Sequence, residues 1–309
     1  MQAGQEQLIA DGRVVIVTGA GRGLGRAHAL AFARAGARVV VNDLGVGLDG
    51  GAGGPSPAEE VVAEIRAGGG EAVASADDVA SSAGAAGLIR TALDHFGALH
   101  TLVNNAGFLR DRMLINLAEE DWDAVVRVHL KGHFLPMQQA AQHWRAESKA
   151  GRTPDARIVN TSSGAGLLGA VGQGNYSAAK AGIATLTLVA AAEFARYGVQ
   201  VNAIAPAART RMTEKAFAED MAAPEDPTAF DPMAPENVSP LVVYLGSSAS
   251  HGVTGRVFEA EAGRVTLMDG WRRAESVDGG ARWSPADLDG PVRDLLAKSP
   301  EAEGVYGAE

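Results

Sequence analysis

The segment Thr18-Gly19-Ala20-Gly21-Arg22-Gly23-Leu24-Gly25 constrains this chain most. It follows an apolar run, Val14–Thr18, and opens a helical pattern, Leu24–Ala35. Glycines have no Cβ, so a diphosphate can approach such a backbone closely. The start of the helix adds free N–H groups and the positive end of its dipole. Glycine-rich turns are common, and the plain alternative is an ordinary turn. The strand–turn–helix setting argues against it.

The rest of the chain repeats that alternation. Val14–Thr18, Arg38–Asp43, Ala72–Ala76, Leu99–Asn104, Arg157–Thr161 and Val199–Ala205 read as strands. They are rich in Val, Ile and Thr and apolar without alternation, as expected for strands covered on both faces. Leu24–Ala35, Pro57–Ala67, Ala83–Phe96, Ala118–Trp144 and Tyr176–Arg196 read as helices. Ser56-Pro57-Ala58-Glu59 is an N-terminal helix signal, and Pro136 predicts a kink or break in the fourth helix. The expected fold is α/β: a single-domain, doubly wound parallel sheet (Rossmann fold) with helices on both faces. The expected organisation is an N-terminal extension over 1–12, a dinucleotide-binding domain over 13–270 and a tail over 271–309. Within the domain, 207–235 reads as a lid, and Gly45–Gly54 as a surface loop. The tail shows no strand pattern.

Composition narrows the function. The 309 residues carry 27 Lys+Arg against 37 Asp+Glu, a formal charge of −10. That acidity argues against general nucleic-acid binding. The absence of Cys excludes disulfides, thiolate metal sites and a cysteine nucleophile. The seven His are scattered, so no metal site is expected. The N-terminus lacks an apolar signal core, and Ile183–Ala192 is too short to span a bilayer. A cytoplasmic protein without membrane contact is the expectation.

Several residues fit a dinucleotide. Gly19, Gly21, Arg22, Gly23, Leu24 and Gly25 form the phosphate loop. Asp43 ends the second strand, where a carboxylate can accept both adenosine ribose hydroxyls and repel a 2′-phosphate. That favours NAD over NADP. Arg22 pulls toward NADP, but Asp43 should sit directly at the ribose. Asp78 and Val79 follow the third strand and could seat the adenine, with Asp77 the adjacent alternative.

Tyr176-Ser177-Ala178-Ala179-Lys180 opens a helix, and residues four apart share a helical face. A free phenol has a pKa near 10. A nearby ammonium is expected to lower it, so that the pair can exchange a proton with an alcohol or carbonyl. Ser163 lies just beyond a strand and can hydrogen-bond the reacting oxygen. Ser162 is its neighbouring alternative, and the spacing to Tyr176 favours Ser163.

With these motifs in this order, the sequence resembles the short-chain dehydrogenase/reductase family over roughly 13–260. The resemblance rests on Thr18–Gly25, Asp78, Asn104-Asn105-Ala106-Gly107, Ser163, Tyr176, Lys180 and Asn202–Pro206. It implies that Asn105, Ala106, Gly107, Pro206 and Thr210 border the cofactor, with Tyr176 and Lys180 also contacting it. Two positions depart from the family pattern. The Asn of the long helix, which supports a proton relay, is His129, either a relay group itself or a packed helix-face His. The Pro-Gly after the sixth strand is Pro206-Ala207, and a positive φ at Ala207 would be strained.

Asn42-Asp43-Leu44-Gly45, Leu109–Met113, Asp121-Trp122-Asp123, Val128–Gly132 and Arg211-Met212-Thr213 are similar to one subgroup. It comprises the (3R)-hydroxyacyl-CoA dehydrogenase domains of peroxisomal multifunctional enzymes of type 2, also classed as 17β-hydroxysteroid dehydrogenases. The implied activity is NAD-dependent interconversion of a secondary alcohol and a ketone, on a 3-hydroxyacyl-CoA. The implied catalytic residues are Ser163, Tyr176, Lys180 and His129. A 17β-hydroxysteroid or a steroid side-chain CoA ester is the alternative substrate, and a non-catalytic NAD sensor is the alternative of another class. Arg110, Arg112, Arg209 and Arg211 are candidate CoA contacts, with ion pairing the plainer role for each. The apolar surface of the Tyr176 helix and the family resemblance lead us to expect a homodimer or homotetramer.

Overall fold

A computed structural model describes residues 8–45, 56–210, 222–226, 228–300 and 303–305. The expected Gly45–Gly54 loop beyond Gly45, and Arg211 with most of the expected lid, lie outside the described residues. Eight strands form one sheet in the order β3-β2-β1-β4-β5-β6-β7-β8. They are β1 (Val14–Thr18), β2 (Arg38–Asn42), β3 (Ala72–Ser75), β4 (Thr101–Asn104), β5 (Ala156–Thr161), β6 (Val199–Ala207), β7 (Val257–Glu261) and β8 (Arg264–Met268). All pairings are parallel except β7 with β8. The doubly wound α/β fold expected from the sequence is the fold observed.

Helices cover both faces. On one, α1 (Gly23–Arg34), α2 (Pro57–Ala67) and a later helix over Ser239–Gly246 share a core with Val15, Val17, Val39 and Val41. On the other, α3 (Ser82–Phe96) and Met137 and Trp144 of a long helix pack on Val14, Ile16, Leu102 and Ile158. Successive side chains of a strand point to opposite faces, so unbroken Val/Ile runs feed both cores. Strand order reverses between β1 and β4, which opens a crevice beyond their C-terminal ends.

Three features differ from expectation. The strands β7 and β8 have no counterpart in the sequence reading. They form a two-residue hairpin at Ala262-Gly263, with Ala262 at φ 50°. Their Glu and Arg content hides them, because β8 is an exposed edge. Second, the irregularity in the long helical stretch falls one turn before Pro136. The stretch runs as α4 (Glu119–Val126), a π turn (Arg127–Lys131) and α5 (Gly132–Lys149), with Pro136 inside α5. Third, the Tyr176 helix is longer than the Ile183–Ala192 stretch weighed above. With α6 over Gly164–Leu168, this helix is α7 (Gly174–Phe194). Together with the turn after it, Gly174–Tyr197, it is long and apolar enough to cross a membrane by length and composition. Its place against β5 and β6 gives that apolarity a second use, packing on the sheet.

Ala207 ends β6 and is paired with Glu261, and among the described residues Ala262 alone of the non-glycines has positive φ. The strain expected at Ala207 is therefore absent. Completing the numbering, α8 is Ser239–Gly246 and α9 is Asp289–Ala297. No residue of α9 is buried.

Candidate active site

The glycine loop joins β1 to α1 at the reversal of strand order. Gly19 has φ 61°, and a Cβ there would lie 2.7 Å from the Ala106 Cα. At Gly25 a Cβ would lie 2.1 Å from the Gly19 carbonyl oxygen, so the helix can start this close to the strand only without a side chain. Asn105 fixes the loop from β4: its Nδ2 donates to the Thr18 and Gly19 carbonyls, at 3.0 and 3.2 Å. The Thr18 hydroxyl accepts from the amides of Asn105 and Ala106.

This loop walls a cleft of about 390 Å³. Gly19, Arg22, Gly23, Leu24, Gly25, Asp43, Asp78, Val79, Asn105, Ala106, Gly107 and Thr210 all line it, and Asp77 does too. Asp43 Oδ2 accepts from the Gly21 amide at 3.0 Å, and Oδ1 accepts from the Gly45 amide at 2.9 Å. Asp78 is ion-paired with Arg127 across the cleft, while Asp77 turns to the Ser75 hydroxyl at 2.8 Å. Thr210 faces the loop, 3.7 Å from where a Gly23 Cβ would stand. Pro206 lies in β6, paired with Ala260. A narrow backbone cradle with a carboxylate at its far end fits a dinucleotide, diphosphate on the loop and ribose at Asp43.

The reacting residues gather beside the cleft. β5 ends at Thr161, and Ser163 caps α6, its Oγ accepting from the Ala165 amide at 3.2 Å. The Ser163 hydroxyl also acts on the Tyr176 phenol, favouring its ionised form. Ser162 is buried, and its hydroxyl donates to the Lys180 carbonyl at 2.9 Å. The two serines thus separate: Ser162 anchors α7, and Ser163 faces the phenol.

Lys180 is buried and donates from Nζ to the Thr161 carbonyl at 2.6 Å, with Nζ 5.5 Å from the Tyr176 ring centre. Burial lowers its pKa to about 7. The Tyr176 phenol is raised above its ordinary value: burial dominates, the Ser163 hydroxyl opposes it, and the charge of Asp111 adds to it. The depressed phenol expected from the Tyr–Lys spacing is not what this site holds. Desolvation acts on both partners, and it weakens the cation that was to do the lowering.

The π turn carries His129 into this site. Its Nε2 lies 2.7 Å from the Phe108 carbonyl oxygen and 3.0 Å from the Phe108 amide nitrogen. Its ring meets the Tyr176 ring edge to face at 5.2 Å. Burial, with Lys180 adding to it, lowers the imidazole to about 3. Burial disfavours the charged ring, and the Phe108 backbone holds the neutral one beside the phenol. Gly107 makes room for it: a Cβ there would lie 2.2 Å from the His129 Cε1.

Sequence reasoning missed the scaffold in front of Tyr176. Asn175 is buried and donates to the Arg110 and Asp121 carbonyls, at 3.1 and 3.3 Å. Gln173 donates to Asp111 Oδ2 at 2.9 Å. The cations proposed for CoA are engaged: Arg110 pairs with Asp121 at 3.6 Å, Arg209 pairs with Asp231, and Arg112 donates to the Asp111 carbonyl. Among the described residues no group of three or more His, Asp or Glu could hold a metal ion.

A cleft fit for a dinucleotide, with Ser163, Tyr176 and Lys180 grouped behind its Phe108–His129 wall, is the arrangement of an oxidoreductase of CH–OH groups. The chain belongs to the short chain dehydrogenase family, whose model matches residues 13–221. It is 47% identical over 301 residues to the hydroxyacyl-CoA dehydrogenase ChsB1 of Mycobacterium tuberculosis, covering 94% of this chain and 91% of that protein. It is 47% identical over 263 residues to peroxisomal multifunctional enzyme type 2 of Mus musculus, covering 85% of this chain but 33% of that longer protein. A solved short chain dehydrogenase from Mycobacterium avium superposes with a TM-score of 0.87 at 60% identity, covering 97% of this chain and 100% of that one. This family usually binds a nicotinamide cofactor.

Proposed function

We propose that this chain oxidises a 3-hydroxyacyl-CoA to the 3-oxoacyl-CoA, reversibly, with NAD. The observation that carries the reading is a cleft closed by Asp43, whose wall residue Phe108 is bonded to His129, the ring that packs on Tyr176 beside Ser163 and Lys180. The substrate class is supported by the likeness along 94% of the chain to a protein named for hydroxyacyl-CoA.

The bound nicotinamide would supply the hydride acceptor. Ser163 holds the substrate oxygen, and Tyr176 takes its proton as the carbon–hydrogen bond gives up hydride. Lys180, anchored on the Thr161 carbonyl, stands behind the phenol as the next basic group and as a donor toward the nicotinamide ribose. Its value near neutrality suits proton exchange at working pH. Asp43 selects NAD by occupying the position a 2′-phosphate would need.

A second reading, a 17β-hydroxysteroid or its side-chain CoA ester, is favoured by the apolar residues Met113, Leu114, Ile115 and Val171. All four are exposed, and Leu114 lies against Gly174, two residues before Tyr176. Initial rates with NAD on 3-hydroxyacyl-CoA esters and on a 17β-hydroxysteroid separate the two. Turnover of the CoA ester supports the first reading, and turnover of the steroid alone overturns it.

The assembly proposed with this function is a homodimer or homotetramer. A groove of about 600 Å³ between α5 and α7 lies away from the catalytic residues and is lined by Phe134, Met137, Leu186 and Val189. Leu188 beside it is 51% exposed, more than an unpartnered helix face should leave open.

A further inference from the structure

Arg127 opens the π turn, one residue before the Val128–Gly132 segment that carries the subgroup likeness. Its Nη2 donates to Asp78 Oδ2, and Arg127, Val128, Asp78 and Val79 all line the dinucleotide cleft. The two segments meet at a second point. A Cβ on Gly132, just past the π turn, would lie 3.1 Å from Val79 Cγ2. The pair expected at the adenine is therefore fastened to the turn that carries His129.

The backbone of Asp78 is fixed by the start of α3. Its carbonyl accepts from the Ser81 amide at 3.0 Å and from the Ser81 hydroxyl at 3.2 Å. A Cβ on Gly84 would lie 2.3 Å from that same oxygen, so the helix begins hard against it. The carboxylate has two partners among the described residues: the Ala80 amide donates to Oδ1 at 2.9 Å, and Arg127 holds Oδ2. Asp77, the neighbouring acid, is turned to the Ser75 hydroxyl. An ionised carboxylate has about four acceptor sites and no donor. Ala80 and Arg127 take one on each oxygen, and the sites left over belong to a residue of the cleft wall.

The ion pair has little to do with holding the fold. The Arg127 side chain is 48% exposed, and a pair so open to water adds little to stability. What it does is fix where the Asp78 acceptors stand, on a surface that a base would meet. An amino group brought there donates to a charged acceptor. A carbonyl oxygen brought there would face that acceptor with no proton between them, which is costly.

We propose that Arg127 is a positioning residue for cofactor specificity: by holding Asp78 Oδ2 it keeps the carboxylate as an acceptor-only edge of the cleft, which takes a base bearing an amino group, adenine, and refuses one bearing a carbonyl, hypoxanthine. The proposal rests on reading the cleft as a dinucleotide site, and it deepens that reading. Without Arg127 the carboxylate is held on one oxygen only and can turn away from a carbonyl, so the preference relaxes.

The test is equilibrium binding to the full chain, followed by cofactor fluorescence without substrate. The two probes are NADH and reduced nicotinamide hypoxanthine dinucleotide, in which an oxygen replaces the adenine amino group. The unmodified protein should bind NADH about tenfold or more tighter, the range of a hydrogen bond to a charged group. Arg127→Met, which keeps the length and drops the cation, should bring the two affinities within about threefold of each other. Arg127→Lys, which restores a cation for the carboxylate, should recover most of the preference. A merely structural Arg127 would weaken both probes by the same factor and leave their ratio in place in Arg127→Met, and that result overturns the proposal. So does an unmodified protein that binds both probes equally. If Arg127→Met does not fold, Arg127→Gln carries the same test with the same outcomes. Failure of the unmodified protein to bind either probe would remove the cofactor reading and this proposal with it. An unmoved ratio would remove the role of Arg127 while the cofactor reading stood.

Discussion

Asp43 Oδ2 accepts a hydrogen bond from the Gly21 amide at 3.0 Å, so the acid that ends β2 is tied to the phosphate loop itself. The carboxylate and the loop form one cradle, and the proposed preference for NAD rests on the charge at its end. Asp43→Ser should lower kcat/KM with NAD by about tenfold to a hundredfold, the range of a charge-assisted hydrogen bond. It should also raise relative use of NADP. An unchanged ratio of the two specificity constants would remove Asp43 from the ribose.

Gly107 and His129 occupy one space, since a Cβ on the first would stand 2.2 Å from Cε1 of the second. Gly107→Ala should cost about 1–3 kcal/mol of stability by overpacking. Pairing it with His129→Asn, a smaller side chain, should recover part of that loss. The check is a double-mutant cycle of urea midpoints, and strict additivity would show that the two residues do not compete.

Three buried histidines set the acid limit. Burial lowers His28 and His129 to about 3 and His133 well below its ordinary value. Between about pH 3 and the free value near 6.5, the unfolded chain binds protons that the native chain refuses. Stability therefore rises with pH through this window and falls on acidification. The urea midpoint should drop from pH 7 to pH 5, and His28→Asn should flatten part of the drop. A midpoint independent of pH over this range would contradict the burial.

Exposed Leu188 and Val189 flank the groove between α5 and α7. Light scattering at micromolar concentration should give a mass of two or four chains, and Val189→Arg should reduce it. A monomer in the unmodified protein would refute the proposed assembly.

Much of this architecture was legible in the sequence, for a physical reason. Strands β1, β2, β4, β5 and β6 are buried on both faces, so they read as unbroken Val and Ile runs. The hairpin of β7 and β8 was not legible, because Glu259, Glu261 and Arg264 interrupt it and its outer edge meets solvent. The π turn at His129 carries no residue signature, since one extra residue in a helical turn leaves no period to find. The order of Ser163, Tyr176 and Lys180 could be read, but their ionisation could not. Burial of Lys180 beneath β5 and the charge of Asp111, distant in sequence, are set only when the chain folds. Gln173 and Asn175 read as ordinary polar residues until the loop after β4 comes down on them.

The most direct test of the account is the rate of 3-hydroxyacyl-CoA oxidation by Tyr176→Phe, with NAD binding measured in the same preparation. In the proposed mechanism the phenol takes the proton, so its removal should cut kcat by at least about a hundredfold while NAD binding stays close to that of the unmodified protein. Turnover within a few-fold of normal would contradict the assignment of Tyr176 and the mechanism built on it.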